Sequence, residues 1–78
     1  MRADYDRGAD ALYIWLRDLP YAFGVDLDHA RRIDYGADRQ PIGIELLNVR
    51  RKGVNLDDLP ERTFIESVLR EYDIPIFA

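Results

Sequence analysis

Cysteine is absent, and histidine and serine occur once each, as His29 and Ser67. Without cysteine the chain has no disulfide to brace it and no thiolate to hold a metal. Ser67 has no Gly-x-Ser-x-Gly setting and lies far in sequence from His29, so a nucleophilic hydrolase is not expected. The five glycines are isolated, which excludes a glycine-rich phosphate loop. No apolar run approaches the roughly 20 residues of a membrane span. Met1-Arg2-Ala3-Asp4 also lacks the apolar segment of a signal peptide. The expectation is a soluble, cytoplasmic chain with no cofactor and no membrane partner.

What is present is enough for one small core. An apolar fraction of 47% over 78 residues is that of a globular domain rather than a disordered segment. A domain this short sits near the lower limit of independent stability, so self-association into a homo-oligomer is expected. Charge is uneven: residues 1–28 carry net −3, residues 29–53 net +3 and residues 54–78 net −4. An acidic chain is repelled by nucleic acid at long range, although its middle holds a local basic stretch.

Side chains alternate across a strand, and this period organises the first two thirds of the chain. Strands are predicted over residues 3–5, 11–17, 21–27, 31–35 and 42–49. Turn chemistry separates them: Asp6-Arg7-Gly8, Asp18-Leu19-Pro20, Asp28-His29-Ala30 and Gly36-Ala37-Asp38-Arg39-Gln40-Pro41. Leu12, Ile14, Leu16, Ile33, Tyr35, Ile42, Ile44 and Leu46 face inward, and Tyr21, Phe23, Val25 and Leu27 share one face. Short turns between consecutive strands favour an antiparallel meander.

The period then becomes helical. Phe64, Ile65, Val68, Leu69 and Tyr72 form one apolar stripe, with Pro60 in the first turn and Pro75 barring continuation beyond Asp73. Asp57, Asp58 and Glu61 sit near the positive end of the helix dipole, and Glu66 and Arg70 make an i,i+4 pair. The expected fold is therefore α+β: four to five antiparallel strands with one C-terminal amphipathic helix on one face. A single domain over residues 1–78 divides into a β-meander (1–49), a basic loop and linker (50–58), a helix (59–73) and an apolar tail (74–78).

The second sheet face carries Tyr13, Trp15, Arg17, Asp26, Arg32, Asp34, Glu45 and Leu47. Charged members can form cross-strand pairs, with Arg17 or Arg32 as the partner of Glu45. Tyr13, Trp15 and Leu47 suit water less well and read as an association surface. Ile74, Ile76 and Phe77 of the tail are further contact candidates, able to pair with a neighbour's sheet edge or to fold back onto their own core.

Other constellations are weaker. Asp26, Asp28 and His29 have donors that suit a divalent cation, but capping of a hairpin turn explains them more simply, and no metal site is expected. Asp4, Asp6 and Asp10 around Gly8 read as turn residues. Arg31, Arg32, Arg50, Arg51 and Lys52 are the one group suited to phosphate contacts, which position a protein without reading bases.

Ala9-Asp10-Ala11-Leu12-Tyr13-Ile14, the strand end Asp34-Tyr35 and Ile42-Gly43-Ile44-Glu45-Leu46-Leu47 together resemble the YuzE-like family of small bacterial proteins (domain of unknown function 2283). The resemblance covers residues 5–49 and departs at Asp38-Arg39-Gln40-Pro41, where such proteins typically have an Asp-Gly turn. It implies an antiparallel sheet with a helix, no catalytic residues and, through relatives encoded beside small toxins, an antitoxin-like role. The expected function is a non-enzymatic protein–protein interaction module with a small toxin-like partner. A nucleic-acid-binding regulator and a metal-assisted hydrolase are the alternatives.

Overall fold

The computed structural model describes residues 1–77, so Ala78 of the expected tail lies outside the described residues. Five strands form the main sheet: β1 (Arg2–Asp6), β2 (Ala11–Trp15), β3 (Phe23–Asp26), β4 (Arg31–Tyr35) and β5 (Pro41–Leu47). All are antiparallel, in the order β1-β2-β5-β4-β3. The α+β class and the helix-covered sheet are as the sequence predicts. The order adds a refinement: the hairpin β1–β2 and the run β3–β4–β5 join so that β5 lies beside β2. This places the two most apolar strands centrally, where both neighbours supply hydrogen bonds, and leaves the polar β1 and the short β3 as edges.

Register aligns the inward set. Leu12 pairs with Leu46, and Ile14 with Ile44, which in turn pairs with Ile33. The register of β5 against β4 shifts between Asp34 and Tyr35, so that Asp34 faces Gly43 while Tyr35 faces Pro41. Arg39 takes a left-handed conformation (φ 65°) in the turn before it, and Asp38 Oδ1 accepts from the Gln40 N–H at 3.1 Å.

The cover comes from everything after Leu47. A single helical turn α1 (Val49–Lys52), a two-residue strand β6 (Val54–Asn55), the helix α2 (Arg62–Glu71) and a two-residue strand β7 (Ile76–Phe77) follow in order. Val49, Val54, Leu56, Leu59, Ile65, Val68, Leu69 and Ile74 join Leu12, Ile14, Ile33, Ile44 and Leu46 in one buried cluster. The segment 50–58, expected as a basic loop, instead holds most of α1 and all of β6, because Val54 and Leu56 are core residues that pull it onto the sheet. Pro60 precedes α2 rather than entering it, and Glu61 takes φ 56° at the helix start. The helix ends before Pro75: Asp73 is left-handed (φ 55°), and the Ile74 N–H donates to the Leu69 carbonyl at 2.8 Å. That bond, with Asp73 N–H to Arg70 O at 3.2 Å, is a Schellman closure, and Leu69 and Ile74 on either side of it are both buried in the core.

The tail folds back onto its own chain. Val54 N–H donates to Pro75 O at 2.9 Å, and β7 pairs in parallel with β6. Of the two dispositions open to the tail from sequence, the structure has the internal one.

Candidate interaction surface

Alternation delivers the second sheet face as expected, and cross-strand register explains what each residue does there. Asp4, Tyr13, Glu45, Arg32 and Asp26 form one row across the five strands, and Arg2, Trp15, Gly43, Asp34 and Gly24 form the next. The Tyr13 ring leans over Gly43, whose missing side chain leaves the room it needs; a Cβ there would meet the Tyr13 hydroxyl. From that position Tyr13 donates to Asp34 Oδ2 at 2.7 Å. Burial first, and then this bond, pushes the Tyr13 phenol well above its ordinary pKa. Trp15 packs edge-on against Tyr13, with ring centroids 4.8 Å apart, and the Arg2 guanidinium lies 4.1 Å above the indole.

Arg32 organises the other end of the face. Its guanidinium lies over Gly24, donates to Asp26 Oδ1 at 2.8 Å and to the Tyr21 hydroxyl at 3.2 Å, and pairs with Asp34 Oδ1 at 3.4 Å. The Asp26 bond, followed by that of Tyr21, holds Arg32 even more firmly protonated than usual. Tyr21 thus reaches the open face rather than sharing a side with Phe23, because the strand starts only at Phe23 and alternation does not extend back to it. The expected partner of Glu45 is also corrected: Arg32 turns to Asp26 and Asp34, and Arg17 pairs with Asp38 at 3.0 Å. Glu45 is exposed and has no ion pair among the described residues.

The six residues named as contacts divide. Tyr13 and Trp15 are half-buried neighbours. Leu47, 36% exposed, stands at the far end of β5 beyond Glu45 and lines a shallow groove of about 580 Å³ with Asp26, His29 and Arg32. It meets Phe77 at a smaller apolar recess of about 260 Å³. Ile76 and Phe77 are exposed, whereas Ile74 is buried in the chain's own core, so it is not available to a partner.

The basic residues do not assemble. Arg31 and Arg32 point to opposite sides of the sheet. Arg31 bonds Asp28 Oδ2 at 2.9 Å and spans to the carbonyls of Asn55 (2.9 Å) and Asp57 (2.6 Å), which fastens the cover to β4. Arg50 donates to the Tyr72 carbonyl and lies 5.3 Å from the Tyr5 ring centroid. Of the five candidates Arg31, Arg32, Arg50, Arg51 and Lys52, only Arg51 and Lys52 have no partner for the side chain among the described residues, too few for a phosphate track.

The Asp-Leu-Asp-His segment is a turn. Asp28 accepts from the Ala30 N–H at 2.9 Å and from Arg31, and the Ala30 bond first of all holds its carboxyl below the ordinary range. Among the described residues no three His, Cys, Asp or Glu side chains gather as a metal requires, and no buried side-chain polar atom is left without a partner. No helix among them is long and apolar enough to cross a membrane.

Asp10 has a role that spacing did not reveal. Left-handed at φ 53°, it caps α1 from forty residues away: Oδ1 accepts from Arg50 N–H at 3.0 Å and Oδ2 from Arg51 N–H at 3.1 Å. Tyr5 donates to the same carboxylate at 2.8 Å. The Arg50 N–H is the main cause of a lowered Asp10 pKa. The only sequence signal was an Asp at a turn, where its tolerance of left-handed backbone is ordinary.

Fold and surface together define a small α+β protein built on one antiparallel sheet with a single open face. Residues 2–50 match the family described as a protein of unknown function (DUF2283), more than half of the chain, so the chain belongs to that family. The match holds the whole five-stranded sheet and Asp10 with the Arg50 it caps, and Arg51 and α2 lie outside it. No curated protein and no solved structure matches the chain.

Proposed function

We propose that this chain is a non-enzymatic protein–protein interaction module that presents its open sheet face to a partner. The observation that carries the proposal is the Arg2–Trp15–Tyr13 stack on a sheet face that no other element covers among the described residues. Arg, Trp and Tyr are the side chains that dominate binding hot spots. Here they are already in mutual contact: Tyr13 is tied to Asp34, Trp15 packs edge-on against Tyr13, and Arg2 lies over the indole. A partner therefore loses little side-chain entropy in docking on them.

The finer proposal is an antitoxin-like role toward a small basic protein. Support comes from the net charge of −4, from the exposed carboxylates Asp26 and Glu45, and from the family resemblance. Isolation of the protein from its own cells at low salt, with native mass and bound proteins measured, tests both levels. Wild type is expected to retain a small basic partner, and Trp15→Glu to lose it at an unchanged melting temperature. Retention of the same partner by Trp15→Glu would sink the proposal; Tyr13→Ala provides a second variant if the first is unstable.

A further inference from the structure

The two edges of the sheet differ in how they are guarded. β1 alternates Arg2, Asp4 and Asp6 along its length, the charged defence of an edge that must not pair. β3, Phe23-Gly24-Val25-Asp26, has no proline, lysine or bulge, and Val25 is 43% exposed. We infer that the free edge of β3 receives β3 of a second copy of this chain, antiparallel, about a twofold axis at Val25. The site is separate from the Tyr13–Trp15 surface, so the two can fail independently.

Backbone geometry selects the register. In an antiparallel strand the N–H and C=O of one residue point to the same side, and successive residues alternate. Leu27 N–H donates to Arg31 O at 2.8 Å, which aims the groups of Leu27, Val25 and Phe23 toward β4. The N–H and C=O of Gly24 and Asp26 therefore point out from the sheet. With Val25 opposite Val25, Gly24 of each copy faces Asp26 of the other, and these outward groups pair with one another without remainder.

Side chains suit the same arrangement on both faces. On the covered side Val25 meets Val25 at the closer, non-hydrogen-bonded spacing, and Phe23 meets Leu27 of the second copy. On the open side Gly24 has no side chain, and the Arg32 guanidinium occupies that space. The facing Asp26, whose side chain is 69% exposed within one copy, is thereby brought beside Arg32 of the other. Arg32 has five N–H donors, and its bonds to Asp26, Tyr21 and Asp34 leave donors for it. The axis is perpendicular to the sheet, so both open faces lie side by side on one surface and a partner meets two Tyr13–Trp15 stacks.

The contact is smaller than the standard interface of about 800 Å² per partner, so dimers are expected to populate at about 0.1–1 mM. Sedimentation of the full chain across that range, with amide exchange measured on the same samples, is the test. Exchange at Gly24 and Asp26 is expected to slow about tenfold as mass rises, while Val25 is protected throughout. Val25→Lys and Val25→Glu should each remain monomeric, and their equimolar mixture should recover the dimer mass because Lys then faces Glu at the axis. Trp15→Glu should dimerise as wild type does. A monomer at about 1 mM, exchange at Gly24 and Asp26 that ignores concentration, or a dimer unaltered in both Val25 variants would each overturn the inference.

Discussion

The same strands build both faces of this sheet, yet the two faces solve opposite problems. On one, Leu12, Ile14 and Ile44 are fully buried beneath α2 and the 54–59 segment, and stability comes from apolar surface removed from water. On the other, the side chains one residue along in each strand stay in contact with water, and they hold each other sideways: Arg2 on Trp15, Trp15 on Tyr13, Tyr13 to Asp34, Asp34 to Arg32, Arg32 to Asp26. Such a lattice adds little to folding, since exposed ion pairs contribute about 0–1 kcal/mol each. It does fix the shape of a surface. The difference teaches that period two separates the residues that hold this fold from those that shape its open surface.

Adjacent residues of β5 give the sharpest test of that separation, and the largest effect. Ile44→Ala should cost about 2–5 kcal/mol, a large share of the roughly 5–15 kcal/mol that stabilises a whole domain. Glu45→Ala, one step along the strand on the exposed side, should change stability by less than about 0.5 kcal/mol. Urea melts of both variants check this, with the midpoint falling only for the first. Comparable losses at the two positions would break the comparison.

A second effect, smaller than the first, lies where the β1–β2 turn meets α1. Asp10→Ala removes the acceptor of the Arg50 and Arg51 N–H groups and of Tyr5, so its melting temperature should fall below that of wild type. The pH dependence has a defined sign. The Asp10 carboxyl is held below its usual value of 3.8, so its contribution is present above that value and disappears as pH falls through the lowered one. Melts at successive acid pH values should therefore converge for wild type and variant. Asp28 and Asp38 are lowered as well and keep some acid dependence in both.

Residue alternation made the sheet legible, because it reports which face a side chain takes. It does not report which strand lies next door. Tyr13 and Trp15 could be placed on one face from spacing alone, but the bond from Tyr13 to Asp34 depends on β5 lying between β2 and β4 with glycine at position 43. Glu45 was assigned an arginine by the same logic and lost it to closer geometry at Asp26 and Asp34. Arg31 and Arg50 looked free because their long-range acceptors are backbone carbonyls, at Asn55, Asp57 and Tyr72, which every residue type carries; Arg31 also bonds the nearby Asp28 carboxylate. Asp10 was invisible for the converse reason: its partners are amides forty residues away. The helix stripe and its stop were readable since both are local, and the tail's return was not, since it is decided by pairing with Val54.

The smallest effect asks whether the open face is held sideways as described. Tyr13→Phe keeps the ring over Gly43 and deletes only the hydroxyl that donates to Asp34. The loss should be about 1–2 kcal/mol, since a hydrogen bond to a charged carboxylate is worth about 1.5–3 kcal/mol and water still reaches this site. Its pH dependence separates it from a packing change. A phenol whose pKa is raised by burial and by Asp34 stabilises the fold fully below its unfolded value of about 10, and the contribution is lost as pH rises beyond that. In the tyrosinate absorbance of the folded protein Tyr5 is also held up, chiefly by burial, so Tyr13→Phe should remove one late-titrating phenol and keep that of Tyr5. If the variant still shows both, Tyr13 is ordinary surface, and the aromatic stack loses the anchor that orders it for a partner.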